Sequence, residues 1–260
     1  HMEYADGTRF LSFGTTCYGW IHQPDELRRQ TLRSLAASPF NKIRMLLFPK
    51  FMPYNNTEPV MFPFQKNEAG EWDVSKPNYA FWDDLDTQLL ALDELGIEAD
   101  LILFHPYDRW GFDAMSREEN LTYLRYCVSR LGAYKNIWWS LANEYDMTPN
   151  KTEADWDAFG ELVSKLDGGR HLLSIHNCCQ VYPDRDWMTH CSIQSSLCRR
   201  TLTWGWQYRK PVFIDECGYE GNIEFSWGNL SAFEMVHRFW TTVALSLIHI
   251  SEPTRPLYIS

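Results

Sequence analysis

Seven short apolar runs rich in β-forming residues recur along the 260-residue chain, each followed by a polar loop and a segment with helical periodicity. This alternation is typical of β/α units arranged around a parallel sheet. One (β/α)8 TIM barrel takes roughly 250 residues, so the sequence predicts an α/β fold of this kind that uses nearly the whole chain. The predicted strands are Phe10–Thr16, Lys42–Phe48, Glu98–Phe104, Ile137–Ala142, Leu172–His176, Cys191–Gln194 and Pro211–Asp215.

Caps and apolar stripes mark four helices between these strands. Ser116–Glu119 and Ser231–Glu234 have the S-x-x-E spacing of a capping box, in which a hydroxyl and a carboxylate satisfy N–H groups of the first turn. Two further stripes stop at glycine, one at Gly96 and one at Gly168-Gly169. We expect all four stripes to face the core. They are Trp82, Leu85, Leu89 and Leu92; Leu121, Leu124, Val128 and Leu131; Trp156, Phe159, Val163 and Leu166; and Phe233, Val236, Trp240 and Val243.

Two segments depart from the β/α pattern. The stretch from Pro49 to Pro77 contains five prolines and little periodicity. It is long for a connection and follows the second strand, so it is predicted to be a substrate-binding loop. The end of the chain changes character abruptly and resembles read-through of an artificial cloning segment. We therefore expect a barrel domain at 1–245 and a non-native-looking tail at 246–260.

The tail has consequences for barrel closure. We expect the native eighth β/α unit to be missing or replaced, with the β-compatible run Leu245–Ser251 as a candidate surrogate strand. An unclosed barrel exposes two strand edges and favours pairing with another chain. A homodimer through that edge, and weakened activity, are the expected results.

Charge and composition limit the partners. A formal net charge of −10 argues against nucleic acid and anionic membrane surfaces, which would be repelled over most of the protein. No run of about 18 apolar residues is present to span a bilayer. A neutral oligo- or polysaccharide fits better, because the 15% aromatic content provides rings suited to stacking on sugars. We expect a secreted or periplasmic bacterial location, and His1-Met2 looks like a tag remnant without a signal pattern.

No metal or cofactor is expected. The H-x-H and H-E-x-x-H spacings of metal hydrolases are lacking, as are the glycine-rich motifs of nucleotide-binding folds. The cysteines are odd in number and include no C-x-x-C pair, so they are interpreted as buried free thiols. They are Cys17, Cys127, Cys178, Cys179, Cys191, Cys198 and Cys217.

Two apolar strands end in glutamate. Trp138-Trp139-Ser140-Leu141-Ala142-Asn143-Glu144 closes the fourth strand, and Val212-Phe213-Ile214-Asp215-Glu216 closes the seventh. Active sites of α/β barrels lie at the carboxyl ends of the strands. The two carboxylates are therefore predicted to face each other across the barrel mouth, whereas Asp215 should point the other way along its strand and be structural. Asp146 and Glu220 are weaker alternatives.

These motifs resemble those of clan A of the glycoside hydrolases, and in particular a cellulase-like, family 5-type group of bacterial barrels. The resemblance covers roughly Phe10 to Leu245. It implies that Glu144 is the acid/base and Glu216 the nucleophile of a retaining glycosidase. It also implies that Arg44 hydrogen-bonds the nucleophile, with a structural salt bridge as the alternative.

The same resemblance implies a set of substrate-binding residues. Asn143 would hydrogen-bond the sugar 2-hydroxyl. His105 follows the third strand and His176-Asn177 closes the fifth, while a core imidazole with a satisfied hydrogen bond is the alternative for each histidine. Gln194 stands where many relatives carry a tyrosine that orients the nucleophile. Four aromatic residues are candidate sugar platforms, although packing in the core would explain each of them as well. They are Trp20, Tyr107, Trp110 and Trp204.

The mechanism sets electrostatic requirements for the pair. Retention needs one carboxyl protonated and the other ionised, about 5–5.5 Å apart. A free glutamate titrates near ~4.3. We therefore expect an apolar setting and a neighbouring charge to raise the pKa of Glu144, and cationic or N–H donors to keep Glu216 ionised.

The expected activity is hydrolysis of plant-type β-glycans by an endo-glucanase or xylanase-like enzyme. The alternative is an impaired barrel that binds carbohydrate without efficient turnover. A metal-dependent barrel hydrolase is a further alternative from another reaction class.

Overall fold

The structure, a computed structural model, describes residues 2–53, 55–181 and 184–246 and the backbone of residues 249–250. Eight strands form the barrel: β1 Phe13–Thr16, β2 Lys42–Leu46, β3 Glu98–Phe104, β4 Ile137–Ala142, β5 Leu173–Ser174, β6 Cys191–Gln194, β7 Val212–Glu216 and β8 His249–Ile250. Six helices flank them: α1 Asp25–Ala36, α2 Tyr79–Glu94, α3 Arg117–Leu131, α4 Glu153–Asp167, α5 Thr201–Tyr208 and α6 Ala232–Ser246. The predicted α/β barrel is confirmed.

The strands are arranged as a parallel ring. Hydrogen-bonded neighbours run in the order β8-β1-β2-β3-β4-β5, and β6 pairs with β7. A parallel bridge between His176 and Ser192 joins the β5 side to β6, and β7 lies against β8. Because all strands run the same way, their carboxyl ends, including Glu144 and Glu216, meet at one mouth.

The predicted and observed strands differ at their ends. β3, β4 and β6 have the predicted bounds. Phe10 does not continue into β1, because it pairs with Met2 in an amino-terminal hairpin. β5 keeps only two residues, and among residues 177–181 and 184–190 no α-helix follows it. Two of the helices were not predicted, namely α1, which is rich in charge, and α5, which has only 8 residues.

The cap of α3 and the glycine stop of α4 are those that the sequence predicts, whereas the cap of α4 was not predicted. Ser116 and Glu119 form a reciprocal capping box at the start of α3. α4 begins with a second box at Thr152 and ends at Gly168, whose φ of 67° lies in the left-handed region that glycine adopts at little cost.

The prediction for α6 is wrong in its orientation. Three residues of the expected core stripe, Phe233, Val236 and Trp240, are 79%, 54% and 60% exposed. Met235 and Phe239 are buried instead, and the Phe239 ring packs edge-on against Phe13 at 4.8 Å. The stripe has the period of a helix, but only contacts with the strands decide which side is covered.

The helix caps and stripes show two smaller differences. Ser231 accepts the Glu234 N–H at 3.2 Å, but the Glu234 carboxylate accepts from Arg238 rather than completing the box. Leu166 on α4 is 39% exposed rather than buried.

The proline-rich stretch contains a hairpin of Phe64–Lys66 and Trp72–Pro77. Its apolar side packs on the loop after β3, where Trp72 donates to the Trp110 carbonyl at 2.7 Å and its ring stacks on Phe112. This segment therefore borders the barrel mouth, and its role in substrate binding stays a prediction.

The expected surrogate for the eighth strand is present in the backbone. His249–Ile250 pairs in parallel with Phe13–Gly14 of β1. The predicted open edge of β1 is therefore occupied at these two positions, while residues 251–260 lie outside the described residues. Across the part of the chain that the structure describes, no helix has the length and apolar character needed to cross a bilayer.

Candidate active site

Glu144 sits at the carboxyl end of β4 in an unusual backbone conformation. Its φ of 47° and ψ of 55° lie in the left-handed region, which is costly for a residue with a β-carbon. The side chain is half-buried. Gln194 Nε2 donates to its Oε1 at 3.0 Å and the Tyr107 hydroxyl donates to its Oε2. A strained backbone held in place by surrounding contacts is typical of functional sites.

Glu216 ends β7 and is only 5% exposed. It accepts a hydrogen bond from the Tyr18 hydroxyl. Burial, followed by the negative charge of Glu144, raises the pKa of Glu216 to about 7, although the Tyr18 hydroxyl, Arg44 and Lys50 act in the opposite direction. The two glutamates are thus close enough to interact electrostatically, as the strand positions predict.

The raised pKa of Glu216 differs from the expectation that cationic or N–H donors keep it ionised. The physical reason is burial, because Glu216 is almost fully removed from water. The protons of two such interacting carboxyls belong to the pair rather than to either residue.

Four buried charges lie beside the pair. Lys42 Nζ is 2.7 Å from the Asp100 carboxylate and 3.5 Å from that of Asp215. Arg44 Nε is 3.5 Å from Asp100. Asp215 also accepts from Ser192. Two cations face two anions, which offsets the cost of burying each charge, and Asp215 is structural as predicted.

Arg44 reaches Glu216 through the Tyr18 hydroxyl rather than through the predicted direct hydrogen bond. It donates to the Tyr18 hydroxyl at 3.3 Å, and that hydroxyl donates to Glu216. The guanidinium also pairs with Asp100, which is the alternative salt bridge. Arg44 therefore acts on Glu216 through Tyr18 and through its charge.

Asn143 is fully buried beside the pair. Its Oδ1 lies 3.4 Å from the Tyr18 hydroxyl. Its Nδ2 has no hydrogen-bond partner among the described residues. This amide donor fits the expected contact with a sugar hydroxyl, which stays a prediction.

The loop after β3 brings Tyr107, but not His105, to the site. His105 is 4% exposed, with Nε2 bonded to the Phe48 carbonyl at 3.1 Å and Nδ1 accepting the Tyr107 N–H at 3.1 Å. Burial lowers the pKa of His105 to about 4. The predicted substrate contact of His105 is wrong, because both ring nitrogens hold the loop that carries Tyr107.

The polar residues at the ends of β5 and β6 hold other residues of the site in place. Gln194 contacts Glu144 rather than Glu216, so it holds the candidate acid/base. Asn177 is buried and exchanges hydrogen bonds with the Gln194 backbone at 3.2 and 3.4 Å, which makes it a support for Gln194 rather than a sugar ligand.

Several predicted sugar contacts lie elsewhere. His176 is buried within the barrel, where burial and then the charge of Arg44 hold its pKa well below the usual range. Trp20 is buried and donates to the Arg28 carbonyl at 3.2 Å. Trp204 is 4% exposed and packs in the core near Cys191 and Ile214. These three predictions are wrong, because each side chain is enclosed by the fold.

Trp110 lies in the aromatic cluster under the hairpin, and its ring N–H donates to Glu58 at 2.9 Å. It is half-buried and stays a candidate sugar platform.

Tyr18 and Lys50 are site residues that the sequence reasoning missed. Tyr18 lies two residues beyond β1, and Lys50 follows β2. Both positions are at the carboxyl ends of strands, which was the available signal. The Lys50 ammonium lies 4.9 Å from the ring centroid of Tyr18 and 4.9 Å from that of Tyr107.

The cysteine prediction needs one correction. Cys178 is half-buried and Cys179 is exposed, because they lie on a loop whose three successive N–H groups donate to Asp146. Asp146 is thereby a structural residue. No group of three or more potential metal ligands occurs among the described residues.

The fold and the two facing glutamates define the class: an α/β barrel of the glycoside hydrolase type. More narrowly, the chain belongs to the Apiosidase-like catalytic-domain family, whose model matches residues 1–245. The resemblance to clan A is thus confirmed at the level of class and fold. No curated protein matches the chain.

Solved structures agree with this placement. A candidate glycoside hydrolase from Bacteroides vulgatus ATCC 8482 is 38% identical with a TM-score of 0.92, over 99% of this chain and 55% of that one. A family 5 glycoside hydrolase from the same strain is 16% identical with a TM-score of 0.69, over 96% of this chain and 60% of that one. An endo-1,4-β-D-mannanase from Thermotoga petrophila RKU-1 is 14% identical with a TM-score of 0.60, over 94% of this chain and 88% of that one. The chain thus spans only about 55 to 60% of the two Bacteroides proteins.

Proposed function

We propose that this chain hydrolyses glycosidic bonds with net retention, with Glu144 as acid/base and Glu216 as nucleophile. The observation that carries the proposal is the placement of two glutamates at the carboxyl ends of β4 and β7, each accepting a hydrogen bond from a tyrosine hydroxyl. A double displacement needs two carboxyls that share one proton across a single sugar carbon.

In the first step a Glu216 oxygen attacks the anomeric carbon while Glu144 donates its proton to the departing oxygen. In the second step Glu144 takes a proton from water, the water oxygen bonds the anomeric carbon, and Glu216 leaves. Tyr18 orients Glu216. Gln194 and Tyr107 orient Glu144, and the Asn143 amide donates to a hydroxyl of the bound sugar.

We further propose that the substrate is a terminal sugar of a plant-type glycan. Glu216 is 5% exposed and both carboxylates lie under tyrosine hydroxyls, which suits a chain end better than the middle of a polymer. The family description favours an apiosyl residue. Endo-cleavage of β-glucan or xylan, and of mannan as in the mannanase named above, are the competing specificities.

The assignment of the pair is tested with Glu144→Ala and Glu216→Ala, using Glu161→Gln on the exposed face of α4 as control. Glu216→Ala should abolish turnover and be partly rescued by azide, giving a glycosyl azide of inverted configuration. Glu144→Ala should lose about 10²–10⁴-fold on substrates with poor leaving groups and much less on activated ones. Parent rates in both variants would overturn the assignment.

The substrate is tested by incubating the parent with apiosyl-bearing pectic oligosaccharides, aryl glycosides, β-glucan, xylan and mannan, and following released sugars. Single-sugar release without shortening of polymers supports exo action. If the parent binds oligosaccharide but turns none over, the alternative of a carbohydrate-binding barrel replaces the proposed activity.

A further inference from the structure

Lys50 lies where one positive charge can act on both candidate catalytic carboxylates. Its ammonium is 4.9 Å from the ring centroids of Tyr18 and of Tyr107. Attraction of a cation to aromatic faces at this range contributes roughly 0.5–2 kcal/mol. The side chain is half-buried, so water screens its charge less than on an open surface.

The two tyrosines that contact Lys50 each donate to a different glutamate. The Tyr18 hydroxyl donates to Glu216, and the Tyr107 hydroxyl donates to Glu144. Lys50 thus lies between the two phenols that hold the pair.

Backbone hydrogen bonds hold the three loops in register. Leu46 N–H donates to the Tyr18 carbonyl at 2.9 Å, and Phe51 N–H donates to the Tyr107 carbonyl at 2.8 Å. The segment that carries Lys50 is therefore tied to the loops of both tyrosines. The arrangement belongs to the fold rather than to one side-chain rotamer.

We propose that Lys50 is a positioning residue that fixes the orientations of Tyr18 and Tyr107 and sets the pH range in which the Glu144–Glu216 pair holds its single proton. This role rests on the proposed function, because it assigns Lys50 to the same reaction. It distinguishes Lys50 from Arg44, which also pairs with Asp100 and Asp215 within the barrel.

Other groups also act on the pair and stay constant in the test. Tyr18 and Arg44 face Glu216, and Cys178 lies near Glu144. His105 lies under Tyr107 and stays neutral near pH 7, because burial lowers its pKa to about 4. A change at Lys50 therefore reports on its charge and on its contacts with the two tyrosines, provided that the fold is kept.

The sign of the effect follows from Coulomb attraction. The positive charge favours ionised carboxylates, and Lys50 acts to lower the pKa of Glu216. Removing the charge should raise the pKa of the pair. Both limbs of the pH profile should then move to higher pH, by roughly one unit for a partly screened charge at this range.

The experiment compares Lys50→Met, Lys50→Arg and Lys135→Met. Lys135 is 81% exposed near the opposite end of the barrel, so its replacement makes the same charge change far from the site. We expect Lys50→Met to move the pH profile of kcat/KM upward and to lower kcat more than it changes KM. Lys50→Arg should restore the profile, and Lys135→Met should leave it unmoved.

A second readout separates this inference from the proposed function. Carbon-13 NMR of labelled glutamate follows the titration of Glu144 and Glu216 in folded protein without substrate. An upward shift in Lys50→Met alone supports the inference even if no turnover is found. An unmoved titration in Lys50→Met, or an equal shift in Lys135→Met, would overturn it, whereas the alanine variants of the two glutamates test the function itself.

Discussion

At the scale of single residues, the site contains two energetically unfavourable features that contacts with neighbouring side chains stabilise. Glu144 occupies a left-handed backbone conformation, and Glu216 is a carboxyl almost removed from water. The hydroxyls of Tyr107 and Tyr18 and the amide of Gln194 satisfy these carboxyls. Stability and chemistry are therefore opposed at this pair.

The buried carboxyl of Glu216 should make stability depend on pH. Its pKa is raised to about 7 in the folded state from 4.5, mainly by burial. The unfolded chain releases this proton more readily, so stability is full below pH 4.5 and falls as pH rises through about 7. The loss is on the order of 3 kcal/mol. Urea unfolding of Glu216→Gln should show higher stability than the parent at pH 8 and equal stability near pH 4.5.

Glu144→Gln should lower the pKa of Glu216, because the neighbouring negative charge that raises it is removed. Difference infrared spectra of the carboxyl bands across pH 4 to 9 would report the change. An unchanged titration of Glu216 would mean that burial alone sets its pKa and that the two side chains are too far apart to cooperate.

At the scale of elements, two glycines inside helices have opposite reasons for being there. A β-carbon at Gly160 of α4 would lie 2.3 Å from the Trp187 ring. At Gly205 of α5 the nearest atom would be 3.9 Å away, on Val212. Gly160 thus allows close packing of α4 on the segment before β6, whereas Gly205 only adds backbone entropy to the unfolded chain.

Gly160→Ala and Gly205→Ala form a matched pair. The first should destabilise the protein by about 1–3 kcal/mol through overpacking. The second should stabilise it by about 0.5–1 kcal/mol, because alanine is the better helix former. Thermal unfolding measures both, and a stable Gly160→Ala would show that Trp187 moves freely.

The helix elements also show how far sequence reasoning reaches. The α3 capping box and the end of α4 at Gly168 could be predicted, because they depend on residues three or four apart. The buried side of α6 could not, since Phe239 rather than Trp240 meets Phe13 only after the ring of strands has formed. The same holds for α5, whose 8 residues carry too short a pattern.

At the scale of the whole molecule, barrel closure and association are linked. β8 covers part of the edge of β1, and the exposed stripe Phe233, Val236 and Trp240 lies on α6 beside it. Contiguous exposed apolar surface is typical of contact sites. A homodimer through the barrel edge stays a prediction of the sequence, and this stripe is a candidate contact surface.

Sedimentation velocity of the parent and of Phe233→Lys/Trp240→Lys tests the association. We expect the parent to self-associate at micromolar concentration and the double variant to stay monomeric with unchanged circular dichroism. Equal sedimentation of both as monomers would contradict the predicted dimer.

The sequence by itself determined the parallel barrel and the strands that end in Glu144 and Glu216, because these depend on the local period and on the shared direction of the strands. It also lacks the motifs for nucleotide or metal binding. Tertiary structure decided which side chains meet the two glutamates. Tyr18, Lys50 and Tyr107 come from three different loops, and His105, His176 and Trp204 are enclosed by packing. Contacts between residues far apart in the chain depend on the closing of the ring, which no local pattern encodes.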